Sequence, residues 1–125
     1  MGYRSEVVVA FYTRDTVKLP MAALKLWFDE NYPKPEDWKP DEITIGNDSI
    51  TVWYYDIKWY QDYDYVQKVN AATELFTDTF ECDENIDSVA AWEIMRVGEE
   101  LADIEHDGST YSDYRINVNR TITFE

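Results

Sequence analysis

The stretch ITIGNDSITVWYYDIKWY, residues 43–60, determines the fold class of this chain. Residues 46–49, Gly-Asn-Asp-Ser, favour a tight turn between two runs of strand formers, so the stretch predicts a β-hairpin. Its second arm carries aromatic residues on both faces. Alternate residues of a strand point to opposite faces, so this arm has two sets of side chains. We expect one set to face the core: Trp53, Tyr55, Ile57 and Trp59. The other set should be mixed in character: Val52, Tyr54, Asp56 and Lys58.

A buried strand and a short helix are predicted before the hairpin. Residues 5–13 form a β-branched and aromatic run that is too short for a helix. An amphipathic helix should lie between Pro20 and Asn31, because its apolar residues recur at helical spacing: Leu24, Trp27 and Phe28. Residues 32–42 contain three prolines and predict an extended loop, with Trp38 pinning it.

The second half of the chain predicts one long helix and two strands. Asp62 or Asp64 can cap the helix, whose apolar residues follow the 3.6-residue period: Val66, Val69, Thr73, Phe76 and Phe80. Residues 89–97 predict a strand, and residues 98–113 predict a polar, acidic connection. A final strand is predicted from clean alternation: Tyr114, Ile116, Val118, Ile122 and Phe124.

These elements give the order β-α-β-β-α-β-β. Helices separated by antiparallel hairpins predict an α+β fold, a two-layer sandwich in which a mainly antiparallel sheet carries two helices on one face. This arrangement is a variant of the ferredoxin-like, split β-α-β fold. The length of 125 residues, without a linker of useful length, predicts a single domain over residues 1–125.

Charge excludes several functional classes. The chain has 26 acidic residues against 11 lysines and arginines, a net charge of −15, yet it is 45% hydrophobic and 16% aromatic and should fold. Such a surface repels phosphate backbones and anionic lipids, so we expect no direct nucleic-acid or membrane ligand. The sequence shows no membrane span or signal peptide, which predicts a soluble intracellular protein with basic or neutral partners.

Catalytic and metal-binding motifs are weak. His106 is the only histidine and lies in an acidic stretch, so we expect it to be solvated, and Cys82 should be a plain thiol at a helix end. Carboxylate pairs such as Glu99 with Glu100 or Asp83 with Asp87 carry no specificity among so many acids. We therefore predict no enzyme activity, no catalytic residue and no cofactor.

One segment approaches a calcium loop. Residues 103–108, Asp-Ile-Glu-His-Asp-Gly, place oxygen ligands at loop positions 1, 3 and 5 and a glycine at position 6. Position 12 should be a bidentate glutamate, but it is Tyr114. We predict no metal site. The aromatic strand also lacks the basic groove that single-strand binding needs, since Lys58 is surrounded by acids.

The acidic excess is clustered. Residues 81–107 contain ten acids opposed only by Arg96. On an extended segment, side chains two residues apart share a face at about 6.7 Å, a spacing that resembles a phosphate track. A row of carboxylates could thus occupy the basic groove of a nucleic-acid-binding protein. The predicted partner-binding residues are Glu99, Glu100, Asp103, Glu105, Asp107, Asp83, Glu84 and Asp87. The alternative is an acidic face that only confers solubility.

Several stretches resemble a family of small acidic proteins encoded by tailed bacteriophages. They are MGYRSEV at residues 1–7, KWY at 58–60 leading into the helix with Val66, and RVGEE at 96–100 with DIE at 103–105. The resemblance spans most of the chain, although the proline-rich loop is longer here and the acidic run after Gly98 is shorter. It implies a viral product in the bacterial host cytoplasm, and no catalytic residue is carried over from that family.

Three functional hypotheses follow. The leading one is a non-enzymatic phage protein that binds and inhibits a basic-surfaced host protein, as a nucleic-acid mimic against a nuclease or defence system. The second is a structural, assembly or self-associating protein, such as a homodimer, in which residues 53–60 or the final strand pair with another copy. The third is an enzyme with a carboxylate pair, which a deep pocket lined by two acids of raised pKa would support.

Overall fold

The computed structural model describes residues 4–34, 39–82, 88–100 and 103–109. The chain order is β-α-β-β-α-β-β: β1 (Ser5–Thr13), α1 (Met21–Asn31), β2 (Glu42–Ile45), β3 (Ser49–Ile57), α2 (Asp64–Phe80), β4 (Ala90–Gly98) and β5 (Ile104–Gly108). The predicted first strand, both helices, the hairpin and the strand after the second helix are confirmed within one to three residues. No helix within the described ranges is long and apolar enough to cross a membrane.

The strands form one antiparallel sheet in the order β2-β3-β1-β4-β5. β1 and β2 are joined through α1, and β3 lies between them in the sheet. β3 and β4 are joined through α2, and β1 lies between them. These are the two interlocked split β-α-β units of the ferredoxin-like arrangement, extended by β5. The predicted α+β sandwich is therefore confirmed.

One aromatic core joins the sheet to both helices. Phe11 of β1 lies at its centre, with its ring centroid 5.5 Å from that of Trp27 on α1 and 5.0 Å from that of Phe76 on α2. Trp27 and Phe76 also contact each other at 5.0 Å. Because all three elements meet at Phe11, helix packing and sheet formation depend on the same buried rings.

The predicted orientation of β3 is wrong for its first half. Val52 and Tyr54 are fully buried beneath the helices, whereas Tyr55 is exposed and Trp53 lies on the opposite sheet face. Pairing with β1 decides the orientation, because Val9, which is buried, lies opposite Val52. Alternation alone is ambiguous there, because residues 52–55 place an apolar or aromatic side chain on both faces.

The prediction is correct for Ile57 and Trp59, because a β-bulge changes the face on which the later residues of β3 lie. The β1–β3 register shifts between Ser5 and Val7, so that Ser5 lies opposite Ile57 and Val7 lies opposite Tyr54. The extra residue in β3 brings Ile57 back to the helix face, where it packs against the core. Trp59, just beyond the strand, is buried there as predicted.

Two further predictions change with the structure, and two lie outside the residues that it describes. The cap of α2 is Tyr63, with no side-chain capping hydrogen bond, so Asp62 and Asp64 are not caps. Asp64 is instead the first helical residue, and its carboxylate lies 3.1 Å from Lys68. The acidic connection contains a strand, β5, that the sequence did not predict. The predicted final strand, residues 114–124, and Trp38 of the proline-rich loop lie outside the described residues.

The core beneath the helices contains a chain of tyrosine hydroxyls. The hydroxyl of Tyr54 on β3 lies 2.8 Å from that of Tyr32 and also contacts that of Tyr65 on α2. The three buried hydroxyls are therefore hydrogen-bond partners of one another. Burial raises the pKa of Tyr32 and of Tyr65 well above the usual value, because the phenolate would be desolvated.

Candidate protein-binding groove

A groove lies between α2 and the β4–β5 end of the sheet. A helix covers about two strands, because its diameter of about 10 Å compares with a strand spacing of about 4.8 Å. Two helices therefore leave parts of a five-stranded sheet uncovered, and one of these parts is the helix-side face of β5. The resulting cavity has a volume of about 410 Å³.

The groove has apolar side chains from the sheet and polar side chains from α2 and β5. Its lining residues are Trp59, Gln61, Asn70, Thr73, Glu74, Trp92, Ile94, Arg96, Glu105 and Asp107. Trp92 and Ile94 alternate with Arg96 along β4, so the three side chains share one face. The indole N–H of Trp92 donates to the hydroxyl of Thr77 on α2 at 2.8 Å, which fixes the ring against the helix.

A shallower hollow of about 810 Å³ continues the groove toward the start of α2. The two cavities share Trp59, Gln61, Arg96 and Glu105. Among the described residues that line them, six are acidic and one is basic, Arg96: the acids are Asp62, Glu74, Glu100, Asp103, Glu105 and Asp107. The combined surface is therefore acidic, with tryptophan side chains in its walls.

Arg96 organises the acidic residues at one end of the groove. Its guanidinium donates to both carboxylate oxygens of Asp103, at 2.6 and 3.1 Å, and to the hydroxyl of Ser5 at 3.0 Å. It also contacts the carboxylate of Glu105. The hydrogen bonds to Asp103, and then those to Glu105, raise the pKa of Arg96 above its usual value, while burial opposes the increase.

The structure brings together four of the eight predicted partner-binding acids. Glu100, Asp103, Glu105 and Asp107 line the two cavities, and the expectation that Glu105 and Asp107 share one face of an extended segment is confirmed. Glu99 points elsewhere, because its carboxylate accepts the backbone N–H of Arg4 at 2.9 Å. Asp83, Glu84 and Asp87 lie outside the described residues.

Two acids of the groove were missed by the sequence reasoning. Glu74 follows Thr73 on α2 and lies beside the apolar stripe of the helix rather than on it. Asp62 precedes α2 and was interpreted only as a helix cap. The helical period identifies positions that flank a buried stripe, so it could have placed Glu74 at the edge of the interface between helix and sheet.

His106 is not solvated as expected. Its Nε2 lies 2.9 Å from a carboxylate oxygen of Glu93, whose side chain is fully buried, and its own side chain is 19% exposed. The reason is β5: pairing with β4 sets Met95 opposite His106 and Gly108 opposite Glu93, which brings both polar side chains to the sheet face away from the helices. The pair lies on the opposite side of the sheet from the groove.

The segment that resembled a calcium loop is a strand preceded by Asp103, and the carboxylates of Asp103 and Glu105 bind Arg96. Within the described part of the chain, no three histidine, cysteine or acidic residues come close enough to hold a metal ion. Cys82 is buried directly after α2, at the predicted helix end.

Comparisons of the chain with protein-family models, with curated proteins and with solved structures found no match. The site therefore has to be interpreted from its own geometry and charge.

Proposed function

We propose that this chain is a non-enzymatic acidic phage protein that binds and inhibits a basic-surfaced host protein through the groove between α2 and β5. The observation that supports the proposal is the composition of the groove, with six acidic residues against one arginine around two tryptophans. The host class that fits is a nucleic-acid-binding protein, such as a nuclease or a component of a defence system, because its basic surface normally faces phosphates.

The groove can hold cationic side chains by two kinds of contact. The carboxylates of Glu74 and Asp107 come from opposite walls, α2 and β5, and can both approach one guanidinium or ammonium group. The indole of Trp92 lines the same cavity and offers a cation–π contact, worth about 0.5–2 kcal/mol. A lysine or arginine side chain with its apolar stem matches this mixture of apolar and acidic surface.

Competition with nucleic acid would make such binding inhibitory. Glu105 and Asp107 are alternate residues of β5, so their side chains are spaced at about 6.7 Å, about twice the 3.4 Å by which the phosphates of one DNA strand advance along the duplex axis. Acids of α2 and of the hollow extend the negative surface to both sides. The phage origin and the host cytoplasm rest on the resemblance of the quoted sequence stretches.

The role of Arg96 supports binding rather than acid–base chemistry. A catalytic general acid must hold a transferable proton, whereas the carboxylates of Asp103 and Glu105 accept hydrogen bonds from a guanidinium. Arg96 also limits the repulsion among these acids, which holds them in a fixed arrangement for a partner. The alternative, an acidic surface that serves only solubility, requires no such arrangement.

The test is affinity capture from bacterial lysate with the wild-type chain and with the double variant Glu74→Lys, Asp107→Lys. The expected capture is a nucleic-acid-binding protein that is released between about 0.1 M and about 1 M salt, where the Debye length falls from about 10 Å to about 3 Å. The double variant should lose at least about tenfold in affinity, since each reversal replaces an attraction with a repulsion.

The control is Asp78→Lys, which makes the same change of charge at an exposed position of α2 that does not line the groove. It should capture the partner nearly as well as the wild type. If the control and the matched single variant Glu74→Lys lost the same amount of captured partner, only the net charge of the chain would matter. Capture that resists high salt would also contradict the proposal.

A further inference from the structure

At the other end of the described sheet, β2 is the edge strand. All four of its residues are exposed, and Ile43 and Ile45 keep 47% and 52% of their surface accessible. Within the described ranges, β2 pairs only with β3, so one side of its backbone has no neighbouring strand. Uncovered edge strands with apolar side chains are templates for pairing with another strand.

The hydrogen-bond phase identifies which backbone groups point outward. The N–H of Gly46 donates to the carbonyl of Ser49 at 2.8 Å, which makes these two residues a hydrogen-bonded pair. Bonded and non-bonded pairs alternate in an antiparallel ladder, so Thr44 points its backbone groups toward β3. The contact of the Thr51 hydroxyl with the Thr44 carbonyl at 3.4 Å agrees with this phase. The N–H and C=O groups of Ile43 and Ile45 therefore point to the open edge.

We propose that β2 pairs antiparallel with β2 of a second copy of this chain, around a two-fold axis at Thr44. In that register Ile43 of each copy lies opposite Ile45 of the other. Both are outward-pointing residues, so the two strands can exchange about four backbone hydrogen bonds without distortion. A register with an outward residue opposite an inward one would form none of them. The edge of β2 is thus complementary to itself.

The side chains fit the same register. Ile43 and Ile45 lie opposite the buried Val52 and Ile50 of β3, so they extend the helix-side apolar face beyond the core. Pairing places the isoleucines of the two copies side by side, where cross-strand apolar pairs are favourable. Glu42 falls opposite Gly46 rather than another acid, so no like charges are directly opposed.

Part of the stretch that the sequence suggested for self-pairing, residues 53–57, belongs to β3. That strand pairs with β1 as far as Ile57 and with β2 as far as Trp53, so its two sides are more fully occupied than the outer side of β2. Two features weaken the β2 contact. A four-residue strand pair buries less than the about 1,200 Å² of stable complexes, and each copy carries a charge of −15. We expect a dimer with a dissociation constant of about 0.1 mM that strengthens as salt screens the repulsion.

Sedimentation of the wild-type chain over a range of concentrations, at low and high salt, tests the proposal. The variant Ile43→Pro removes an outward-pointing N–H and leaves the hydrogen bonds between β2 and β3 in place, so the chain should fold and remain monomeric. Ile45→Lys should weaken the dimer about tenfold or more, by placing a charge in the isoleucine contact. Leu26→Lys, an equally drastic change at an exposed residue of α1, should leave it unchanged.

Amide hydrogen exchange gives a readout that does not depend on any variant. The amides of Ile43 and Ile45 should exchange more slowly as protein concentration rises, whereas that of Thr44, already bonded to β3, should not change. A chain that stays monomeric at about 1 mM in high salt, ten times the expected dissociation constant, would overturn the proposal. A dimer that Ile43→Pro leaves intact would overturn it as well.

Discussion

The two end strands of the described sheet differ in how they are held and in what they expose. At the β5 end, Arg96 ties Asp103 and Glu105 together beside an acidic groove. At the β2 end, two isoleucines lie exposed on the edge strand of the described sheet. One sheet thus carries a charged end and an apolar end. Salt should therefore weaken binding at the first end and strengthen association at the second.

High pH should have the largest effect and should act on the tyrosine hydroxyls of the core, away from both edge strands. The pKa values of Tyr32 and Tyr65 are raised in the folded chain, so these groups stabilise it fully below the unfolded pKa of about 10. As pH rises further, the unfolded chain loses their protons first, and stability falls by about 1.4 kcal/mol per pH unit for each tyrosine. Urea unfolding at pH 9 to 12 measures this slope.

The double variant Tyr32→Phe, Tyr65→Phe provides the control for the alkaline effect. It removes both titrating hydroxyls and retains the rings, so its stability should depend much less steeply on pH. An equal slope in the variant and the wild type would mean that other groups cause the alkaline unfolding.

Removal of Arg96 should have the next largest effect and should act at the β5 end. Arg96→Ala leaves Asp103 and Glu105 close together without their cation, which should lower the free energy of unfolding by about 2 kcal/mol. Arg4→Ala is the control, because Arg4 lies 4.0 Å from the exposed carboxylate of Asp56 and should contribute less than about 1 kcal/mol. Equal losses in urea unfolding would show that Arg96 has no special role.

A smaller effect is expected where the groove meets α2. Trp92→Phe keeps an aromatic ring in the groove but removes the hydrogen bond to Thr77, which should cost about 1 kcal/mol of stability. Thr77→Val removes the same bond from the other side. If this hydrogen bond accounts for both losses of stability, the double variant should lose less stability than the two single variants together. Fully additive losses would show that the hydrogen bond does not cause them.

The sequence predicted the elements whose side chains have one clear period. Residues 5–13 contain a continuous apolar run, and α2 repeats its apolar residues every three or four positions, so both were located nearly to the residue. The face of β3 could not be predicted in the same way. Both of its alternating sets are apolar or aromatic over residues 52–55, and the pairing with β1 and the bulge near Tyr55 decide which side chains are buried.

The groove was beyond sequence reasoning for a different reason. β5 has a single apolar residue, Ile104, and contacts across the ladder support it, including Arg96 with Glu105 and Glu93 with His106. Such contacts become visible only after the strand has been paired with β4. Charge alone identifies Glu105 and Asp107 as candidate binding residues. Their position beside Trp92 depends on the packing of α2 against the sheet, which the sequence does not specify.

The most direct test of the central claim is a titration of isotope-labelled protein with an arginine-rich peptide, followed by amide chemical shifts. The account predicts saturable shifts confined to the groove, at Asn70, Glu74, Glu105 and Asp107, that disappear at high salt while the amides of β2 do not move. Shifts spread evenly over all acidic surfaces, or centred away from α2 and β5, would contradict it.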